Sequence, residues 1–210
     1  MKIVLAVLCF CGLSLAQFAQ AGLQTFTSSD GVFQFKYSPV LVHCAPQGTR
    51  EGYPGSWVPA EACLSQDGVC DEAASSATTI VCFAYPNDNF RNKPTFSAAA
   101  FFVAEVRAAT TKRACLKGSQ NWLIEGAQNA RINTFHVRLF RISDAWTSGG
   151  QTGEIYRVFH TGRCYELGIQ EAHTSSGAYD SGTIQEFTRR DQAEVDRRLR
   201  QALHSFRFLK

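Results

Sequence analysis

Residues 154–170, Glu-Ile-Tyr-Arg-Val-Phe-His-Thr-Gly-Arg-Cys-Tyr-Glu-Leu-Gly-Ile-Gln, constrain the fold more than any other stretch, because they read as two strands folded about Thr161-Gly162. With those two residues at the centre of the turn, His160 faces Arg163, Phe159 faces Cys164, Val158 faces Tyr165, Arg157 faces Glu166 and Tyr156 faces Leu167. Side chains alternate along a strand, so Tyr156, Val158, Tyr165, Leu167 and Ile169 share an apolar face suited to a core. The opposite face carries Ile155, Arg157, Phe159, Cys164 and Glu166, with Arg157 and Glu166 opposed as a cross-strand pair worth about 0.2–1 kcal/mol. Thr-Gly is a weaker two-residue turn than Asn-Gly, and a three-residue loop would exchange the two faces.

The chain of 210 residues begins with Met1-Lys2 and an apolar run from Ile3 to Leu15, too short to span a bilayer and followed by small residues. This predicts a signal peptide over 1–21, cut after Ala21, with a second possible site after Ala16. Residues 22–210 are then one α+β domain with a long Cys-bounded loop at 45–78. The formal net charge of +3 falls to +2 once Lys2 leaves, and no membrane span remains. The dense arginines between Arg189 and Arg200 are interleaved with Asp191, Glu194 and Asp196, the pattern of a solvated helix face and not of a nucleic-acid stripe.

Export leaves Cys44, Cys63, Cys70, Cys82, Cys115 and Cys164, an even set that predicts three disulfides in an oxidising compartment. Six cysteines allow 15 connectivities. Nesting favours Cys44 with Cys82 to close the base of the long loop, Cys63 with Cys70 to pin its tip, and Cys115 with Cys164 to tie a helix to the hairpin. Phe33, Phe35 and Tyr37 alternate with polar residues in a first strand over 25–38, and Thr79–Tyr85 and Ala98–Val106 are apolar runs of buried strands. A short helix over Arg107–Leu116, a strand near Asn121–Glu125 and another over Ile132–Ile142 follow, giving three consecutive antiparallel strands up to the hairpin. Residues 172–183, rich in Ser, Gly and Thr, read as a flexible connection. Asp191–Phe206 closes the chain as an amphipathic helix, with Asp191 and Glu194 in a capping box and Val195, Leu199, Ala202, Leu203 and Phe206 on its apolar face.

No phosphate-binding glycine loop, Gly-x-Ser-x-Gly elbow, His-Glu-x-x-His or Cys-x-x-Cys pair occurs in the mature chain, so no cofactor, metal or catalytic residue is implied. A Cys164 nucleophile assisted by His160 is opposed by the register, which sends the two to opposite faces. Contact chemistry is expected in the long loop: Tyr53 and Trp57 as an aromatic surface, and Asp67, Asp71 and Glu72 as an acidic tip able to attract calcium, or simply a solvated loop end.

The opening Gly31-Val32-Phe33-Gln34-Phe35-Lys36-Tyr37-Ser38-Pro39, the antiparallel strands and the closing helix into Leu203-His204-Ser205-Phe206-Arg207-Phe208 together resemble the PsbP-like family. The resemblance implies an antiparallel sheet in an α/β/α sandwich and a non-enzymatic binding or accessory role. The cysteine-rich segment from 44 to 82 departs from that pattern, and no binding residue is carried over. The function expected is therefore a secreted, periplasmic or extracellular protein that engages a protein or envelope ligand. A secreted hydrolase with a dispersed site and a disulfide-stabilised envelope component are the alternatives.

Overall fold

The computed structural model describes residues 22–45, 49–51, 57–59, 70, 77–90, 92–117 and 124–209. The predicted leader lies outside them. The strands are β1 (Gln24–Thr27), β2 (Phe33–Tyr37), β3 (Val42–Ala45), β4 (Thr49–Glu51), β5 (Trp57–Pro59), β6 (Ala77–Ala84), β7 (Phe96–Val106), β8 (Ile124–Ile132), β9 (Phe135–Trp146), β10 (Gly149–His160), β11 (Arg163–Thr174) and β12 (Arg207–Phe208). The α-helices are α1 (Lys112–Lys117) and α2 (Arg189–Ser205). Among the described residues no helix is long and apolar enough to cross a membrane.

A nine-stranded antiparallel sheet has the order β5-β4-β3-β6-β7-β11-β10-β9-β8, and strands from the two ends of the described residues form a second sheet, β1-β2-β12. The β10–β11 hairpin has the register read from the sequence, from His160 opposite Arg163 through Tyr156 opposite Leu167. Thr161 (φ 45°) and Gly162 (φ 83°) are both left-handed, as a type I′ turn demands. Tyr156, Val158, Tyr165, Leu167 and Ile169 accordingly enter the main core. There they meet Phe33 and Phe35 of the small sheet and Val195, Leu199, Ala202 and Leu203 of α2. Phe206 stacks on Phe33 with centroids 5.3 Å apart, sealing the end of α2 against β2.

The other face of the large sheet carries Cys44, Cys82, Ala98, Ala100, Phe102, Phe140 and Ile155. Phe102 lies flat over its cross-strand partner Gly168, where an added Cβ would sit 2.0 Å from the ring. Only glycine fits beneath that ring. Helix α1 covers the hairpin end of this face, tied there by the Cys115–Cys164 disulfide. The result is an antiparallel α+β fold with a helix on each side of the sheet.

Several expectations are corrected. Cys82 bonds Cys70, not Cys44, with Cα atoms 5.6 Å apart, so the expected Cys44–Cys82 and Cys63–Cys70 pairs do not form. The reason is local: the Thr79 hydroxyl donates to the Cys70 carbonyl at 3.1 Å, laying residue 70 back over β6. Cys44 faces Cys82 across the β3–β6 ladder and is disulfide-bonded to a partner outside the described residues. The supposed loop at 45–78 contributes β4 and β5, which extend the sheet, with Pro59 on its edge strand as its missing N–H requires. Helix α1 starts at Lys112, not Arg107, because the Thr111 hydroxyl accepts from the Ala114 N–H and caps it there. Asn133, left-handed at φ 51°, turns the chain between β8 and β9, so Ile132 ends one strand instead of opening the next. Four consecutive antiparallel strands, β8 to β11, result. The cap of α2 is Thr188 with Asp191 in the third helical position, three residues ahead of the expected box.

Candidate functional site

Beyond its hydrophobic part, the core face of β9, β10 and β11 continues into polar residues, and α2 runs past them. A cleft of about 600 Å³ opens here, with Arg141 and Ser143 from β9, Thr152 and Glu154 from β10, and Gln192, Asp196 and Arg200 from α2. A second cleft of about 550 Å³ adjoins it along the start of α2, lined by Thr95, His173, Ser175, Glu186 and Phe187 among others. Glu171 and Gln192 line both. The two clefts therefore meet at Glu171.

The period of the strands puts these groups there. Glu171 follows Tyr165, Leu167 and Ile169 on the same face of β11, and Glu154 precedes Tyr156 and Val158 on β10. Helical spacing does the same for Arg189, Gln192, Ala193, Asp196 and Arg200, which all line the cleft beside the buried Val195–Leu199 stripe.

Most of the charges here hold one another. The Arg200 guanidinium donates to Glu154 at 2.8 Å and to Asp196 at 2.7 Å, and Arg141 lies 3.9 Å from Glu154. The Tyr156 hydroxyl donates to Glu154 at 2.5 Å. Burial pushes the Glu154 carboxyl up, but the hydrogen bonds from Tyr156 and Arg200 outweigh it and hold the group below the ordinary carboxylate range. Tyr156 is correspondingly pushed up to about 12, by burial and then by its carboxylate partner. Glu171 differs. Burial, reinforced by the nearby Asp196 carboxylate, raises it to about 7, and a hydrogen bond from Gln192 only partly opposes this. Among the described residues no ion pair engages it.

Of the side chains expected to make contacts, Tyr53, Asp67, Asp71 and Glu72 lie outside the described residues. Trp57 opens β5, paired with Glu51, and its side chain too lies outside. Cys164 is bonded to Cys115, while His160 stacks on Phe208 at 3.8 Å on the core face, so the two do point apart. The Arg157–Glu166 pair is present, with a 2.6 Å hydrogen bond from Nε, and both residues are buried. Burial pushes Glu166 up against the opposing pull of Arg157, and the Arg157 guanidinium also lies 5.6 Å from the Phe140 ring centroid. Among the described residues no group of three or more His, Cys, Asp or Glu side chains is placed to hold a metal ion.

Sequence reasoning missed Glu171, Glu154, Gln192 and Asp196 as a set. The signal lies in β11, whose alternation carries on past Ile169 to Glu171 and His173, so the strand extends to Thr174 into the segment expected to be a flexible connection from 172.

In sequence, neither a family model nor a curated protein matches this chain. Solved structures similar to it include the Ran-binding protein Mog1p of Saccharomyces cerevisiae, with 9% identity over 90% of this chain and 96% of that one, at a TM-score of 0.42. A mutant of protein Mog1 aligns at 10% identity over 90% and 97% with a TM-score of 0.39. LpqN, involved in cell envelope biogenesis of Mycobacterium tuberculosis, aligns at 8% identity over 65% and 80% with a TM-score of 0.33. At these values nothing about activity or partner is carried from those proteins to this one.

Proposed function

We propose that this chain is exported, loses residues 1–21, and acts in the periplasm or outside the cell as a binding or accessory protein whose ligand lies in the double cleft beside α2. One observation carries the reading. Glu154, Arg200, Asp196 and Arg141 neutralise one another and fix a polar wall, leaving a solvent-open groove whose shape is held by ion pairs. Such a wall orients a ligand. The disulfides suit an oxidising compartment, and the PsbP-like ends of the chain suit an accessory role. The loop around Tyr53 and Trp57 and its acidic tip at Asp67, Asp71 and Glu72 is a second contact surface in this proposal.

The test places a photo-crosslinking residue at Ser143 in the cleft, and at the exposed Lys117 as a control, in the exported protein. We expect a mature chain beginning at Gly22, and adducts from position 143 that are missing from position 117. A chain that keeps Met1, or equal labelling at the two sites, overturns the reading. A secreted hydrolase is the second reading, favoured by the Glu171 carboxyl near 7, the range in which a general acid or base works. Turnover of an ester or glycoside panel that vanishes in Glu171→Gln would favour it.

A further inference from the structure

Carboxylates that are at least half-buried nearly always need a cation, and the described residues obey the rule with one exception. Glu105, Glu154, Glu166, Asp191, Glu194 and Asp196 each lie within 4 Å of a lysine or arginine nitrogen. Glu171 alone among the described, at least half-buried carboxylates has no such partner, and it sits where the two clefts join. The groups facing it are His173 from β11, Thr152 from β10, Glu186 from the segment before α2, and Arg189, Gln192 and Asp196 from α2. Arg200 is occupied by Glu154 and Asp196. Two carboxylates, Glu171 and Asp196, thus share a stretch of groove in which the Arg200 guanidinium is already engaged and Arg189 makes no ion pair with Glu171.

Resting on the cleft as the binding site, we infer that its ligand is a peptide segment that places a lysine ammonium on Glu171. The Gln192 amide lines both clefts with Glu171 and competes for its carboxylate oxygens, so the bidentate fork of an arginine is a poorer match than the point charge of an ammonium. The groove runs on in both directions from Glu171, past Thr152 and Ser143 on one side and past Thr95 and Ser175 on the other. Hydroxyls both donate and accept, which is what the alternating N–H and C=O groups of an extended peptide require. A glycan would ask for Phe, Tyr or Trp rings to pack its sugar faces, and among the described residues Phe187 is the one such ring in the lining of the two clefts.

The experiment uses the isotope-labelled exported protein and two pentapeptides, Gly-Gly-Lys-Gly-Gly with blocked termini and the same peptide acetylated at Nζ, followed by amide chemical shifts at pH 8. The lysine peptide is expected to move the amides of Thr152, Glu171 and Gln192. Acetylation, or Glu171→Gln, is expected to weaken binding at least tenfold, and lowering the pH to 6 is expected to weaken it as Glu171 takes up its proton. Equal binding of both peptides at those amides would overturn the ammonium assignment while leaving the cleft as a binding site. No movement with either peptide would overturn the peptide inference, and the crosslinking at Ser143 then decides separately whether the cleft binds anything.

Discussion

Glu171 holds its proton more tightly in the folded protein than in the unfolded chain, with a folded value of about 7 against an ordinary 4.5. Below pH 4.5 the carboxyl is neutral in both states and costs nothing. Between 4.5 and 7 the folded protein binds more protons than the unfolded one, so stability falls as pH rises, and above 7 the whole cost is present. Because the group borders solvent, screening limits that cost to about 1–2 kcal/mol. Glu171→Gln is therefore expected to raise unfolding free energy at pH 8 by about that amount and to leave it unchanged at pH 4, measured by urea denaturation across the range. An equal effect at both pH values would mean that folding does not raise the pKa of this carboxyl. Asp191 runs the other way: hydrogen bonds from Lys93 and Thr188 hold it at about 2, so its contribution is present above 3.8 and lost as pH falls toward 2. A residue that destabilises the fold at neutral pH while lining an open cleft is placed where a ligand, not the fold, gains from its charge.

The β10–β11 hairpin shows which elements a sequence discloses and which it hides. Its turn is type I′ with Thr161 left-handed at φ 45°, a conformation that asparagine tolerates better than a β-branched residue. Thr161→Asn is expected to stabilise the protein by about 0.5–1 kcal/mol, visible as a higher denaturation midpoint with unchanged slope. A loss would mean that the hairpin's register depends on Thr161 itself. The register was legible because the period of two and one glycine turn agree locally, and either alone would have left the faces open. By contrast β4 and β5 hold three residues each, too few for any period to show, and their pairing depends on strands far along the sheet. The α2 cap was misplaced for a related reason. Both Thr188 with Asp191 and Asp191 with Glu194 satisfy the spacing of a capping box, and the choice falls to Lys93, 98 residues away, which binds the Asp191 carboxylate. The cleft is hidden in the same way, since Glu171 is ordinary in its own strand and becomes singular only when α2 brings Asp196 beside it.

At the scale of the molecule, the two described disulfides do different work. Cys115–Cys164 closes a separation of 49 residues and Cys70–Cys82 one of 12, so chain entropy assigns them about 4 and about 3 kcal/mol. The longer bridge has a second consequence. It ties α1 to β11 two residues from Glu166, where Arg157 and Glu166 are 4% and 0% exposed, and we predict that the clamped helix is the cover that keeps water from the pair. Removing one partner of a buried pair strands a charge at a cost of about 3–5 kcal/mol, whereas the same change in a wet pair costs about 1 or less. The effects should therefore couple. Arg157→Met alone is expected to cost about 3–5 kcal/mol, and distinctly less in a Cys115→Ala/Cys164→Ala background where α1 can lift and water can reach Glu166. A double-mutant cycle by urea denaturation measures that difference as an interaction free energy. Strict additivity would show that the pair is shielded by something other than the clamped helix. It would also uncouple the two features of this hairpin that lie furthest apart in chemistry, the buried ions and the covalent bond beside them.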